Sequence, residues 1–422
     1  WISSYIAMQK KVTIIGGGII GLSTAYFLQK EGCDVTIVDS SEMNSGASYS
    51  NAGYICPSHF IPLAAPGVIR NGLRWMLDAS SPLYIKPRLN VDFLKWVWAF
   101  NTSATASRVQ KNAVHLRDFT LFSKELFQNI KKEEQFSFHY EKKGLLILCQ
   151  TMRQLEKELE VLTMANTLNV HAKEVSKAEL KNMEPSIEIN SIGGIYFKDD
   201  HHSTPADFMN QMKAYLKFKG VRILNNETVV NFKIKNSKIE YLITDKQTLN
   251  SNEFVITSGS WSADLCKKMG LKLLLQPGKG YSINTQRLTG ITIPTILAEA
   301  KTAVTPMNGF TRFAGTMEIA GINHQINRKR VEVIAKAVNT YYPSIQLSET
   351  EIQTATCGLR PLSPDGLPFI GKPESCENMT IATGHAMLGW TLGPGTGKLV
   401  SELILNKKTA LDISPYHPNR KF

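Results

Sequence analysis

The most restrictive feature of this chain lies near its start. Val12-Thr13-Ile14-Ile15 is a β-branched apolar run, and Gly16-Gly17-Gly18-Ile19-Ile20-Gly21 follows at once. Leu22, Ala25, Tyr26 and Leu28 then recur at helical spacing, Gly32 ends the helix, and Val35–Val38 forms a second strand closed by Asp39. Strand, glycine-rich turn, helix, strand and acid in that order predict a βαβ unit in a parallel sheet that binds a dinucleotide. Gly16 permits the tight turn, Gly18 lets backbone approach a pyrophosphate, and Gly21 lets the helix pack close to the strand. The helix N-terminus turns N–H groups and a positive dipole end toward the phosphates. Asp39, 18 residues beyond Gly21, can accept both hydroxyls of an adenosine ribose and disfavours a 2′-phosphate. The unit does not separate FAD from NAD.

Length and composition set the frame around this unit. A chain of 422 residues has room for roughly two or three domains. With 43% apolar and 20% charged residues, it is globular. The net charge is +12, but the tightest basic groups are Lys142-Lys143, Lys267-Lys268 and Arg328-Lys329-Arg330. Without a basic stripe, a lysine-rich solvated surface is the first reading, an anionic membrane surface the second, and no nucleic-acid partner is expected. The six cysteines are far apart and lack a CxxC pair, so a reducing cytoplasm is expected, with no disulfide framework and no metal site. Lys10-Lys11 before the uncharged run Val12–Gln29 imitates a signal segment, but the glycines explain that run better. Nothing else reaches the roughly 18–20 apolar residues of a membrane span. Met8 is taken as the start, with Trp1–Ala7 upstream of the fold.

The remainder divides into two kinds of segment. Residues 40–72 are rich in small residues, Ser, Asn and Pro, and read as a backbone-rich wall around a cofactor or as a plain surface loop. Residues 73–100 hold Trp75, Met76, Phe93, Leu94, Trp96, Val97, Trp98 and Phe100, as ordinary core or as a membrane or partner patch. Helices are expected over 108–131, 151–166, 329–340 and 395–406, and strands over 144–148, 194–197 and 221–224. Thr204, Pro205 and Asp207 read as the capped start of a helix running to Gly220. A hairpin over 227–245 turns at Asn236-Ser237, and an apolar strand at 253–257 ends in Ser258-Gly259. These complete the nucleotide domain, which is discontinuous in sequence. The fold class is α/β: a Rossmann-like dinucleotide domain (8–60, 200–272 and 352–415) with a second α+β, mostly antiparallel substrate domain (61–199 and 273–351).

The motifs GGGIIGLSTAYFLQKEGCDVTIVD, SNAGYICP, AAPGV, PGKGYS, GLRPLSPDGLPFIG and GHAMLGWTLGPGTG together resemble the FAD-dependent D-amino-acid dehydrogenases. These lie within the wider glycine, sarcosine and D-amino-acid oxidase group, and the resemblance covers Lys11 to about residue 406. It implies FAD held by Gly16, Gly18, Gly21, Asp39 and Ser40. Ser48, Asn51, Ala52, Gly53, Tyr54 and Ile55 run past the pyrophosphate and flavin, Val229 passes adenine, and Gly259 and Trp261 close the second nucleotide half. Gly384, His385, Gly389, Trp390 and Thr391 line the flavin ring. A helix start after Thr391–Gly395 would aim N–H groups at flavin N1 and C2=O, where reduction leaves negative charge.

The same resemblance assigns the substrate carboxylate to Arg360, whose planar guanidinium suits bidentate binding. Tyr281 either assists or packs in the core, and His385 supplies hydrogen bonding and shape. Asp365 reads as the cap of its Pro-Asp-Gly turn, and His201 and His202 as surface or cap histidines. Cys357 stands one position from the cysteine through which some sarcosine oxidases attach flavin, with Gly358 in the matching place, so non-covalent FAD is expected. The implied reaction is oxidative deamination of a D-amino acid to a 2-oxo acid and ammonia, by hydride transfer to flavin N5. Electrons would pass to a quinone or similar acceptor, with peripheral contact at the inner face of the cell membrane. A glycine, sarcosine or hydroxyproline oxidase or dehydrogenase is the alternative, and a non-catalytic or RNA-directed flavoprotein a remote one.

Overall fold

The computed structural model describes residues 9–65, 81, 83–86, 88 and 90–422. Trp1–Ala7, Pro66-Gly67-Val68, Trp75 and Met76 lie outside them.

A six-stranded sheet forms the nucleotide half. Its order is Arg222–Leu224, Asp34–Val38, Lys11–Ile15, Glu253–Ile256, Met379–Thr383 and Phe369–Gly371. All neighbours are parallel except the last pair. The β-branched run at 12–15 is buried on both faces, as the centre of a parallel sheet requires. Helix Ile19–Lys30 covers one face and packs against the C-terminal helix Gly389–Ile404. Leu22, Ala25 and Leu28 are fully buried there, and each leucine removed from water is worth about 1.5–3 kcal/mol. The hairpin Val229–Lys235 and Lys238–Thr244, with Thr248–Leu249 beside it, forms a separate three-stranded sheet. It turns at Asn236 and Ser237, both at positive φ.

The second half is a nine-stranded sheet. Its path runs Thr356–Leu362, Gln276–Thr285, Phe310–Ile319, Thr302–Met307, Thr295–Leu297, Leu145–Cys149, Gly193–Phe197 and Ala172–Ser176. Leu83–Ile85 joins beside Phe310–Ile319. Pairing is mostly antiparallel; the exceptions are Thr295–Leu297 with Leu145–Cys149, and Leu83–Ile85 with its partner. Thr356–Leu362 lies beyond the expected boundary at 352, yet it pairs in this sheet.

Three local expectations are corrected. His201 and His202 are not on the surface. They form the buried strand His201–Ser203, between Tyr54–Ile55 and Tyr140–Glu141. Thr204 precedes helix Pro205–Phe218, but its side chain makes no cap. Its hydroxyl instead accepts from Asn308 N at 2.8 Å and meets His139 Nδ1 at 3.0 Å, tertiary partners that displace the local bond. The C-terminal helix starts at Gly389 rather than 395 and carries Pro394 inside it. The Gly395 N–H donates to Ser123 Oγ at 2.9 Å, so a neighbouring helix supports the interrupted ladder. Helix Val91–Ser103 contributes Phe93, Trp96 and Phe100 to the core, as the first of its readings expects, while Val91, Leu94 and Trp98 are exposed.

Candidate active site

The glycine-rich turn is fastened from two sides. Asp39 Oδ2 accepts from Gly17 N at 2.7 Å, and Oδ1 accepts from Ser41 N at 2.8 Å and Ser41 Oγ at 2.6 Å. A carboxylate has about four lone-pair sites and three are taken, so capacity for one ribose hydroxyl remains on Oδ2. Ser48 Oγ accepts from Ile19 N at 3.0 Å at the helix start. Gly21 sits against the turn itself: a Cβ there would fall 1.9 Å from Gly16 O.

From this turn a cavity of about 1550 Å³ runs to the large sheet. Pockets for drug-sized ligands hold roughly 300–1,000 Å³, so this one has room for a dinucleotide and a small substrate together. Gly16, Gly18, Asp39 and Ser40 border it at one end; Ser48, Asn51, Ala52 and Tyr54 form one wall. Val229, Gly259 and Trp261 border it, and so do His385, Gly389, Trp390 and Thr391. Gly21, Gly53, Ile55 and Gly384 do not border the cavity. The Gly53 N–H donates to Asn51 Oδ1 at 2.8 Å, and Ile55 pairs with His201, so both shape the wall from behind.

The wall over residues 48–56 is held by a residue that sequence reasoning missed. Arg312 Nη1 donates to Tyr49 O at 2.7 Å and Asn51 O at 2.6 Å, while its Nε donates to Asn284 Oδ1 at 2.9 Å. Burial lowers its pKa to about 10, so it stays cationic at neutral pH. Thr391 Oγ1 donates to Tyr54 O at 2.8 Å, and Tyr54 OH donates to Thr295 O at 2.6 Å. The wall is thereby bonded to both the C-terminal helix and the large sheet.

Arg360 stands on strand Thr356–Leu362, opposite Gly278. Its guanidinium lies over Gly280: a Cβ on Gly280 would fall 2.3 Å from Nη2 and 2.4 Å from Cζ. Two glycines alternating along a strand leave one face open for a close approach, and the PGKGYS motif carries that signal. Arg360 Nη1 donates to Thr316 O at 3.0 Å, and no carboxylate among the described residues pairs with it. Burial lowers its pKa to about 10, which leaves a cation facing the cavity. The pairing of Gln276–Thr285 with Phe310–Ile319 slips between Lys279 and Tyr281. Thr316 lies in that bulge at φ +60, a costly conformation for a β-branched residue. Strain of this kind concentrates where a surrounding structure needs a group aimed in one direction.

Other candidates occupy different surroundings. Tyr281 follows Gly280, so its side chain takes the opposite sheet face from Arg360. Its hydroxyl donates to Glu318 Oε2 at 2.7 Å, beside buried Lys279. His385 is buried, with Nε2 at 2.9 Å from Thr396 Oγ1; burial pushes its pKa to about 3, so it stays neutral. The Trp390 indole turns away into the core and donates to Ser203 Oγ at 3.0 Å. Trp261 stacks on His324. Cys357 Sγ donates to His324 O at 3.6 Å, and it alternates with Gly358, whose own face meets Ser50 and Ala47. Asp365 does cap its turn, accepting from Leu367 N at 3.2 Å, and Arg420 grips its two oxygens at 2.7 and 2.8 Å.

One further group carries no sequence motif. Cys56, His59 and Asp200 bring ligand-type atoms within 4.8 Å of one another. Burial, with Asp200 nearby, pushes the Cys56 thiol well up, and a protonated thiol is a poor metal ligand. The Ser58 hydroxyl links the other two by hydrogen bonds instead.

The fold and cavity define a two-domain oxidoreductase whose nucleotide half meets an arginine-bearing sheet. The glycine turn, the Asp39 carboxylate, the long cavity and the glycine-faced strand fit FAD, the cofactor of the matching family. The chain belongs to the DAO family of FAD-dependent oxidoreductases, whose model matches residues 11–403. It is 32% identical to a D-amino acid dehydrogenase of Vibrio vulnificus, over 96% of this chain and 99% of the relative. It is 29% identical to a D-amino acid dehydrogenase of Helicobacter pylori, over 94% of this chain and 95% of the relative. Among solved structures, glycine oxidase from Geobacillus kaustophilus shares the fold with a TM-score of 0.77 at 21% identity, covering 98% of this chain and 100% of that one.

Proposed function

We propose that this enzyme oxidises a D-amino acid to its imino acid, which hydrolyses to a 2-oxo acid and ammonia. The observation that carries this is the Arg360 guanidinium: it faces the cavity, rests on Gly280 and lacks an acid partner among the described residues. Bound FAD, held without a covalent link, supplies the acceptor for two electrons and the hydrogen leaving Cα. Arg360 binds the substrate carboxylate through its fork and fixes the orientation of Cα. Asp39, Ser40, Ser48 and the 51–55 backbone hold the cofactor from one side, with Val229, Gly259, Trp261 and the 384–391 segment on the other. His385, neutral and bonded to Thr396, shapes the wall beside the ring-binding segment. The amine must be neutral to give up its lone pair, so turnover should rise toward alkaline pH.

The test is anaerobic addition of D-alanine and D-proline to the yellow holoenzyme. Bleaching by a D-amino acid and not its mirror image is the expected result. Bleaching only by glycine, sarcosine or hydroxyproline would move the chain to the alternative, a glycine, sarcosine or hydroxyproline oxidase or dehydrogenase.

The acceptor we infer is a membrane quinone. Among the described residues, no helix is long and apolar enough to cross a membrane. Val91, Leu94 and Trp98 are exposed at spacings of three and four on helix Val91–Ser103, with Trp98 67% exposed, and Lys95 stands beside them. Such a stripe suits peripheral insertion at an anionic surface. Flotation with phosphatidylglycerol vesicles should carry the enzyme upward, and Trp98→Glu should reduce that several-fold. Equal flotation of both, or one peroxide formed per turnover in air, would remove the membrane quinone.

A further inference from the structure

We propose that His59 binds the substrate amino group: its Nε2 accepts an N–H from the amine, and a Ser58–Asp200 relay holds the imidazole in the tautomer this requires. The inference rests on the amino-acid reading above and supplies the second half of the clamp that Arg360 begins.

Three observations converge. His59 borders the cavity, and its Nε2 has no protein partner among the described residues. Its Nδ1 lies 3.0 Å from Ser58 Oγ. Ser58 in turn donates through Oγ to Asp200 Oδ2, and its N–H donates to Asp200 Oδ1 at 3.1 Å. The hydrogen inventory then fixes the ring. A carboxylate only accepts, and a serine hydroxyl has one hydrogen. With that hydrogen on Asp200, Nδ1 must carry its own proton and donate to Ser58. The bare lone pair is left on Nε2 of a side chain that borders the cavity.

A neutral acceptor suits this reaction better than an acid would. A carboxylate would favour the ammonium form and hold the nitrogen lone pair in an N–H bond. A neutral imidazole takes one N–H of a neutral amine and leaves its lone pair free. The surroundings keep His59 uncharged: burial first, then Lys301, lowers its pKa to about 4. The other facing groups are Tyr54 and Cys56, both held protonated by burial.

Asp200 is the titrating end of the relay. Burial raises its pKa to about 7 against the Ser58 bonds, with Lys124 lowering it and Asp199 raising it. Above that pH, Asp200 accepts from Ser58 and Nε2 is an acceptor. Below it, protonated Asp200 can donate to Ser58, Ser58 can turn its hydrogen to Nδ1, and Nε2 then carries the proton. Capture of the amine should therefore weaken as pH falls through about 7, beyond the slope set by the ammonium group itself.

The experiment uses FAD-loaded wild type, His59→Ala, His59→Gln, Asp200→Asn and Ser58→Ala. D-alanine is followed by anaerobic flavin reduction, and propionate, which has the carboxylate without the amine, by perturbation of the flavin spectrum. His59→Ala should raise the D-alanine concentration for half-maximal reduction roughly tenfold or more, leaving propionate affinity within about twofold. His59→Gln should recover part of the loss, because an amide oxygen can accept. Asp200→Asn should remove the additional fall below pH 7, and Ser58→Ala gives the same reading if the Asp200→Asn variant does not fold. D-alanine and propionate weakening together, D-alanine unchanged, or the acid limb persisting would each overturn the proposal. Wild-type flavin that no amino acid reduces would overturn the amino-acid reading and this one with it. Wild type reduced normally beside an unaffected His59→Ala overturns this one only.

Discussion

Arg360→Ala is expected to keep its FAD and to lose about 10²–10³-fold in kcat/KM for its amino-acid substrate. A hydrogen bond to a charged group is worth roughly 1.5–3 kcal/mol, and a bidentate pair has two. Removing the fork also frees Cα to rotate, and a misplacement of about 1 Å can cost roughly 10²-fold. Arg360→Lys should fall between, keeping the charge and losing the planar geometry. Gly280→Ala is the companion test, since the added Cβ would fall 2.3 Å from Nη2 and push the guanidinium off its seat. It should raise KM several-fold with Arg360 still present. Steady-state kinetics with flavin absorbance as the loading control decides the matter. Turnover in Arg360→Ala equal to wild type would take the arginine out of the site.

Gly21→Val should abolish FAD retention and lower thermal stability sharply. The contact at Gly21 is with backbone: Gly16 O would lie 1.9 Å from any Cβ, and Thr257 Oγ1 at 2.9 Å. A backbone oxygen in a tight turn cannot swing aside as a side chain can. Overpacking typically costs about 1–3 kcal/mol and occasionally more, and here the displaced part is the phosphate-binding turn. Gly32→Ala is the control: it has positive φ but nothing within 4 Å, so about 1–2 kcal/mol and normal FAD content are expected. Gel filtration followed by a flavin spectrum and a thermal melt reads both. A yellow, stable Gly21→Val would remove the close-packing explanation.

Legibility in the sequence follows the range of the forces involved. The βαβ unit is local, so its glycines, its helix and Asp39 can be read from the 28 consecutive residues Val12–Asp39. The hairpin at Asn236-Ser237 and the Asp365 turn are local in the same sense. His201 and His202 escape such a reading because their burial comes from a distance, from Tyr54–Ile55 on one side and Tyr140–Glu141 on the other. Thr204 has the residues of a cap, yet His139 and Asn308 take its hydroxyl. The C-terminal helix starts early because helix neighbours, Ser123 among them, support a stretch whose glycines and Pro394 argue for a loop. Arg312 and the Ser58–His59–Asp200 relay carry no motif. Their meaning appears only when strand, loop and sheet are assembled.

The six-stranded sheet has a consequence for synthesis on the ribosome. Strand Lys11–Ile15 emerges first and gains Asp34–Val38 as a neighbour almost at once. Its other edge waits for Glu253–Ile256, and that strand waits for Met379–Thr383. Until those strands are made, the nascent chain therefore displays an apolar strand edge, a template for wrong pairing. The first helix lacks its cover as well, because Gly389–Ile404 is made after all six strands of the sheet. Closure of the nucleotide half must follow synthesis of that helix, so a polypeptide stopped short of it should not become yellow. Flavin colour thus reports that translation has run through Gly389–Ile404.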